Sequence, residues 1–201
     1  MATLRQTFSD IASAIRAKGV SGTFKPIDMA SKIGEIQTGG GGGEDYGYLT
    51  FTAVDTTTLT LEQSGGIEPL KLLKSIDAVT WTKWENPSTN GISLNPGESV
   101  YIKADEDASW KTGDNYAYNT FKSTGLINCC GDVTSIVKAQ VPANYDGWVC
   151  SLFNSCNTLL TAPELPSTIL TESCYYNMFS YCTSLTQAPE LPATTATQNC
   201  Y

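Results

Sequence analysis

Ala162-Pro-Glu-Leu-Pro166 recurs as Ala188-Pro-Glu-Leu-Pro192, and around it Phe153 recurs as Phe179, Cys156 as Cys182 and Cys174 as Cys200. Each of these offsets is 26 residues. A fixed period in this range marks stacked repeats, because a single unit cannot bury its apolar face alone. The spacing predicts a repeat solenoid at the C-terminus, over residues 141–201. Its first copy is atypical. Trp148 stands where Cys174 would, and Cys150 where Tyr176 would, as in a capping segment. The last copy stops at Cys200-Tyr201, where a new turn begins, so the repeats are expected to continue beyond residue 201.

Upstream, the patterning changes from a long period to alternation. Tyr48–Val54, Thr58–Glu62 and Ala78–Trp84 alternate apolar and polar residues, the mark of half-buried strands. Asn90-Gly91 and Asn95-Pro-Gly97 are turn signals, and Ile92–Leu94 and Ser99–Lys103 read as the strands the second turn joins. Further strands are expected at 119–127 and 133–139. Many short strands with frequent turns predict a small β-sandwich over 46–140.

Gly39 to Gly43 is an unbroken five-glycine run, so residues 39–45 read as a flexible linker. A phosphate-binding loop does not fit, since no strand precedes the run and no Gly-Lys-Ser/Thr follows. Before it, residues 3–18 read as an amphipathic helix. Thr3 and Gln6 suit a capping box, and Phe8, Ile11, Ala12 and Ile15 share one face. Gly19 is a natural stop. Pro26 suits the first turn of a second helix, in which Met29, Ile33 and Ile36 repeat at i, i+4, i+7. The expected helical hairpin, residues 1–38, is too short to bury its apolar face alone and should dock or oligomerise through it.

Composition narrows the chemistry. There is no histidine, which excludes Ser-His-Asp and Cys-His nucleophilic sites and zinc sites that use imidazole. The net charge is −8. Residues 1–36 carry five basic and three acidic groups, and after Lys138 there is no Lys or Arg. A C-terminal half without cations cannot neutralise phosphates, which argues against nucleic acid and against an anionic membrane. No apolar run reaches membrane-spanning length, and Met1–Asp10 lacks a secretory h-region. Seven cysteines without a CxxC pair read mainly as small buried hydrophobes.

The candidate sites follow. Asp105-Glu-Asp107, with Asp114 near in sequence, is the densest acidic cluster, but it lacks the spacing of a calcium loop and reads as solvated. Glu164 and Glu190 recur at repeat spacing and read as structural rather than as a catalytic pair. Cys129-Cys130 reads as a buried strand pair rather than a redox site. Tyr175, Tyr176, Asn177 and Tyr181, with Thr183 and Ser184, are the candidates for ligand recognition. Rings stack on sugars or side chains, and neutral polar groups bond hydroxyls. Core packing is the competing role for some of them, and Met178, Phe179 and Leu185 are expected to point inward.

Two segments resemble known families. Phe8–Lys18 with Lys25–Ile36 resembles a helical module at the N-terminus of many phage fibre and other virion proteins, which implies attachment to the particle. Cys174-Tyr-Tyr-Asn-Met-Phe-Ser-Tyr-Cys-Thr-Ser-Leu-Thr-Gln-Ala-Pro-Glu-Leu-Pro-Ala-Thr194 looks like BspA-type leucine-rich repeats, found in surface adhesins of gut bacteria and in proteins of their phages. The middle segment, with Trp81-Thr-Lys-Trp84 and Phe121–Ile127, is similar to the β-domain that often precedes such repeats. Ala193-Thr-Thr-Ala196 departs from the repeat pattern where the preceding copy keeps Ile169-Leu170.

The expected architecture is therefore multi-domain and mainly β: helical hairpin, small β-sandwich, and a truncated leucine-rich-repeat solenoid. The expected function is a non-enzymatic virion appendage, a head or tail fibre assembled in the host cytoplasm. It would dock on capsid or tail proteins through Phe8, Ile11, Ile15, Met29, Ile33 and Ile36. It would form a dimer or trimer and display its later domains to a host glycan or surface protein, without a cofactor or metal. A bacterial cell-surface adhesin and, behind it, a glycan-degrading enzyme are the alternatives.

Overall fold

A computed structural model describes residues 48–109, 111–114, 116–137 and 149–201. The expected hairpin, residues 1–38, lies outside the described residues. Nine strands are described: β1 (Leu49–Ala53), β2 (Thr57–Ser64), β3 (Leu72–Ser75), β4 (Thr82–Lys83), β5 (Ile92–Leu94), β6 (Ser99–Ala104), β7 (Tyr118–Ser123), β8 (Ile127–Cys130) and β9 (Leu159–Thr161). They form a six-stranded sheet ordered β4-β3-β6-β1-β8-β9 and a three-stranded sheet ordered β5-β2-β7. All pairings are antiparallel except β8 with β9.

The alternating pattern places the core. In β2, Thr57, Leu59 and Leu61 are buried while Thr58 and Thr60 are half-exposed. β1, central in its sheet, is buried on both faces. Its Thr52 hydroxyl meets that of Ser99 at 2.8 Å, which satisfies both. The two sheets meet through aromatic rings, Phe51 of β1 lying 4.8 Å from Phe121 of β7. Gly131 ends β8 at φ +82°, and a Cβ there would collide with the Tyr48 carbonyl.

The expected architecture of hairpin, sandwich and solenoid is corrected. The described residues contain no α-helix, only a single 3-10 turn at Val133–Ile136, and they form two sheets rather than a sandwich followed by a solenoid. Asp45–Tyr201 is one compact unit. A single apolar cluster runs from Leu49 and Phe51 through Phe121 and Phe153 to Met178 and Cys200. The reason lies in the first repeat copy, which is bonded directly onto the sheets. Leu152 O accepts from Phe121 N at 2.7 Å, and Thr158 O from Ile127 N at 3.1 Å. Asn154 O accepts from the Thr120 hydroxyl at 3.1 Å and from the Lys122 ammonium. β9 extends the larger sheet. Beyond Thr161 the described residues contain turns and two isolated bridges, Glu164 with Asp132 and Ile169 with Thr195, but no strand.

Three local expectations also change. Ala78–Trp84 is a strand only at Thr82–Lys83. The Asp77 carboxylate captures the N–H groups of Val79 and Thr80 at 2.9 and 2.7 Å, which holds a turn with Ala78 at φ +58°. Residues 133–139 open with the 3-10 turn because Asp132 accepts from Thr134 N at its start. β5 and β6 do not pair across Asn95-Pro-Gly97, since they belong to different sheets.

Candidate functional site

The second repeat copy presents the candidate surface. Its chain is built from successive turns. Ser173, Asn177 and Tyr181 take positive φ of 58°, 52° and 59°, and Ser151 and Ser155 do the same in the first copy at 55° and 57°. A left-handed residue every fourth position keeps the chain turning, and Ser and Asn tolerate that conformation better than branched residues.

The two copies are laced in register. N–H groups of Val149, Ser151, Phe153 and Ser155 donate to carbonyls of Cys174, Tyr176, Met178 and Ser180 at 2.9, 2.8, 3.0 and 2.7 Å. Phe153 and Phe179 stack, and Tyr175 stacks on Tyr201 with centroids 6.0 Å apart. Thiols join the lacing. Cys182 Sγ donates to Phe153 O at 3.0 Å, and Cys200 Sγ to Thr171 O at 3.4 Å.

Of the proposed recognition residues, Tyr175 is buried at 2% exposure, Tyr176 is half-buried, and Asn177 and Tyr181 are exposed, Tyr181 at 75%. Tyr175 therefore belongs to the core, with Met178. Phe179 and Leu185 are partly buried against it. Burial pushes the Tyr175 phenol up to about 12. The neighbouring Ser167 offsets part of that shift. The ring lines an apolar groove of about 330 Å³ shared with Leu165, Met178, Phe179, Leu191 and Tyr201. A second groove, about 450 Å³, is walled by Pro163, Pro166, Pro189 and Pro192 and carries Glu164 and Glu190. The backbone of Glu164 is structural, accepting from Val133 N at 3.3 Å and donating to Gly131 O at 2.9 Å.

Two of the acidic residues of 105–114, Asp105 and Asp114, are engaged. Asp105 pairs with Lys83 at 2.8 Å, and the hydrogen bond from Lys83 lowers its carboxyl below the usual range. Asp114 accepts from the N–H groups of Tyr116 and Ala117, both at 2.9 Å, which lowers it likewise. Among the described residues, no three His, Cys, Asp or Glu side chains converge as a metal site. Cys129 is buried and Cys130 exposed, as alternation along β8 requires. Burial pushes the Cys129 thiol well above its ordinary value. The attachment residues Phe8, Ile11, Ile15, Met29, Ile33 and Ile36 lie outside the described residues.

Sequence reasoning missed the role of the turns. Their signal is the four-residue spacing of Ser151 with Ser155 and of Ser173 with Asn177, while Tyr181 carries none. No family model matches the chain, and comparisons with curated proteins and with solved structures find no match.

Proposed function

We propose that the chain is a non-enzymatic virion appendage of a bacteriophage, tethered through residues 1–38 and displaying the body 45–201 for contact with a host surface. The observation that carries this reading is the division of the chain at its glycines. The compact unit Asp45–Tyr201 begins one residue past the run Gly39–Gly43, after Glu44. A basic segment with an amphipathic sequence pattern on one side of the glycine run, and an acidic body on the other, suit anchoring and display. The resemblance of residues 8–36 to virion attachment modules and of the 26-residue repeat to adhesin repeats supports the same reading. Display in several copies would convert weak contacts into avidity.

The test is incorporation. Tagged full-length chain, produced during infection of the host, should co-purify with particles. Replacing Ile11 and Ile15 with Asp should remove it from particles while the body keeps its cooperative thermal transition. Undiminished incorporation of that variant would overturn the attachment role. Light scattering on the full chain should give a dimer or trimer that the same variant reduces to monomer.

A further inference from the structure

We propose that the turn joining β3 to β4, residues 76–81, is a tip that inserts into the surface of an anionic lipid bilayer. This names the host component that the displayed body would meet, and so it rests on the reading of that body as a display domain.

The tip is apolar and bare. Ile76 and Val79 are each 81% exposed. They are also held in place. Asp77 Oδ1 accepts from Ser75 Oγ at 2.8 Å and from the N–H groups of Val79 and Thr80 at 2.9 and 2.7 Å. Three donors thereby occupy the carboxylate. Ala78 holds φ +58°, a conformation that Gly or Asn takes with less strain. Packing does not explain two aliphatic side chains shown to water on a pinned, strained backbone. Strain of this kind gathers at functional sites, and a pinned tip can bind without first being ordered.

Around the tip the charge changes sign. Residues 71–83 carry Lys71, Lys74 and Lys83 against Asp77, a net +2 in an acidic body. Lys103 joins them, because Leu73 pairs with both Lys83 and Lys103 across the sheet. Lys83 is taken by Asp105 at 2.8 Å, but among the described residues Lys71, Lys74 and Lys103 have no carboxylate partner. None of the six strands of this sheet carries Asp or Glu. Trp81, two residues past Val79, is half-buried, with the Lys103 ammonium 4.1 Å from its ring centroid.

These parts select one partner. Aliphatic side chains at a tip, an indole behind them and long ammonium stems beside them suit a membrane interface. The aliphatic groups enter the acyl boundary, the indole stays at headgroup depth, and the lysines meet lipid phosphates. A sugar stacks on aromatic faces and gains little from Ile76 and Val79. A protein partner could use free backbone donors of the turn, but Asp77 has already taken those of Val79 and Thr80. The cation-free stretch after Lys138 takes no part.

The probe is co-sedimentation of full-length protein with vesicles of phosphatidylethanolamine containing one quarter phosphatidylglycerol. Binding should be half-saturated near about 1 mM lipid and should weaken as salt is added. Ile76→Ser and Val79→Ser should each weaken it about fivefold, with the thermal transition retained. Lys71→Gln with Lys74→Gln should remove most of the salt dependence. Quenching of tryptophan fluorescence by brominated lipid should fall in Trp81→Phe. The basic N-terminal segment is controlled for by repeating the series with Ile11→Asp and Ile15→Asp in place. The loss caused by the tip substitutions should be the same factor in both backgrounds.

No binding at about 10 mM lipid would overturn the proposal. So would binding that the Ile76→Ser, Val79→Ser double variant leaves unchanged, as it would if the N-terminal segment were the anchor. A double variant that loses attachment to host cells but keeps vesicle binding would also overturn it, in favour of a protein at the tip. Particle incorporation is scored on residues 11 and 15, so failure at the tip with normal incorporation removes this inference alone.

Discussion

Phe153 and Phe179, 26 residues apart, stack with their ring centroids 5.6 Å apart and their planes inclined by 12°. The column continues inward. Phe153 lies 5.8 Å from Phe121 and 6.1 Å from Phe51, so one run of rings joins the repeat to both sheets. The sequence period and the tertiary core therefore meet in one residue.

Phe153→Ala is expected to destabilise the whole body by about 3–5 kcal/mol, the range for truncating a fully buried aromatic. Chemical denaturation followed by tyrosine fluorescence and by far-UV dichroism should still show one coincident transition. Two separated transitions would mean that the repeats and the sheets fold independently. Phe179→Ala, at a half-buried ring, should cost about 1–2 kcal/mol.

Asn119 is a buried polar hub at 1% exposure. Its Oδ1 accepts from Leu70 N at 3.2 Å, and its Nδ2 donates to Glu68 O at 3.2 Å and Thr112 O at 3.0 Å. Asn119→Ala should cost about 1–3 kcal/mol, because it leaves Leu70 N–H and Glu68 O without this partner, while Thr112 O keeps the Asn119 backbone N–H at 2.9 Å. Asn119→Asp should be at least as harmful, since the carboxylate cannot donate to the two carbonyls. Urea midpoints at unchanged m-value would check both.

Acid should weaken the body through three carboxylates. Hydrogen bonds from Thr80, Val79 and Ser75 depress Asp77, that from Lys83 depresses Asp105, and those from Tyr116 and Ala117 depress Asp114. A depressed folded value means the stabilisation is present above the unfolded value, about 3.9, and is lost as pH falls through the lower folded values. Melting temperature should be flat between pH 5 and pH 7 and fall below about pH 4. The fall should be smaller in Asp77→Asn, whose turn no longer depends on ionisation.

Thiol chemistry should report the packing. Six of the seven cysteines are buried, and Cys130 is exposed. A small aromatic disulfide reagent at neutral pH should modify one thiol quickly and the other six only after unfolding, and Cys130→Ser should abolish the fast phase. Burial holds Cys150 up to about 11 and Cys174 up to about 12. Raised values mean that the stabilisation is complete below the unfolded thiol value of about 8.5 and is lost as pH rises toward the folded ones. Melting temperature should fall between pH 9 and pH 11, less steeply in Cys174→Ala once its lower baseline is subtracted.

Ser155 holds φ +57° at an exposed position. Ser155→Gly should gain roughly 0.5 kcal/mol, as relief of left-handed strain outweighs the added chain entropy of glycine. Ser155→Val should lose more than 1 kcal/mol, by the same steric argument with a branched side chain. Paired denaturation curves would decide this.

The sequence by itself determined the parts that depend on neighbours along the chain. Alternation at Thr57–Leu61 and Ser99–Ile102 set which side chains face inward, since the strand period is two. The 26-residue recurrence set which residues stack, Phe153 on Phe179 and Tyr175 on Tyr201, because equal spacing puts equal residues in register. Glycines 39–43 marked where the compact unit starts. Tertiary structure decided the rest. Whether repeats form a separate module or fuse to a sheet depends on partners far away, such as Leu152 for Phe121 and β8 for β9. Whether Tyr175 recognises a ligand or fills the core depends on what covers it. Whether Ala78–Trp84 runs as a strand depends on the Asp77 carboxylate, which satisfies locally the N–H groups a ladder would otherwise use. Periodicity records which face a side chain takes, but not which surface arrives to cover it.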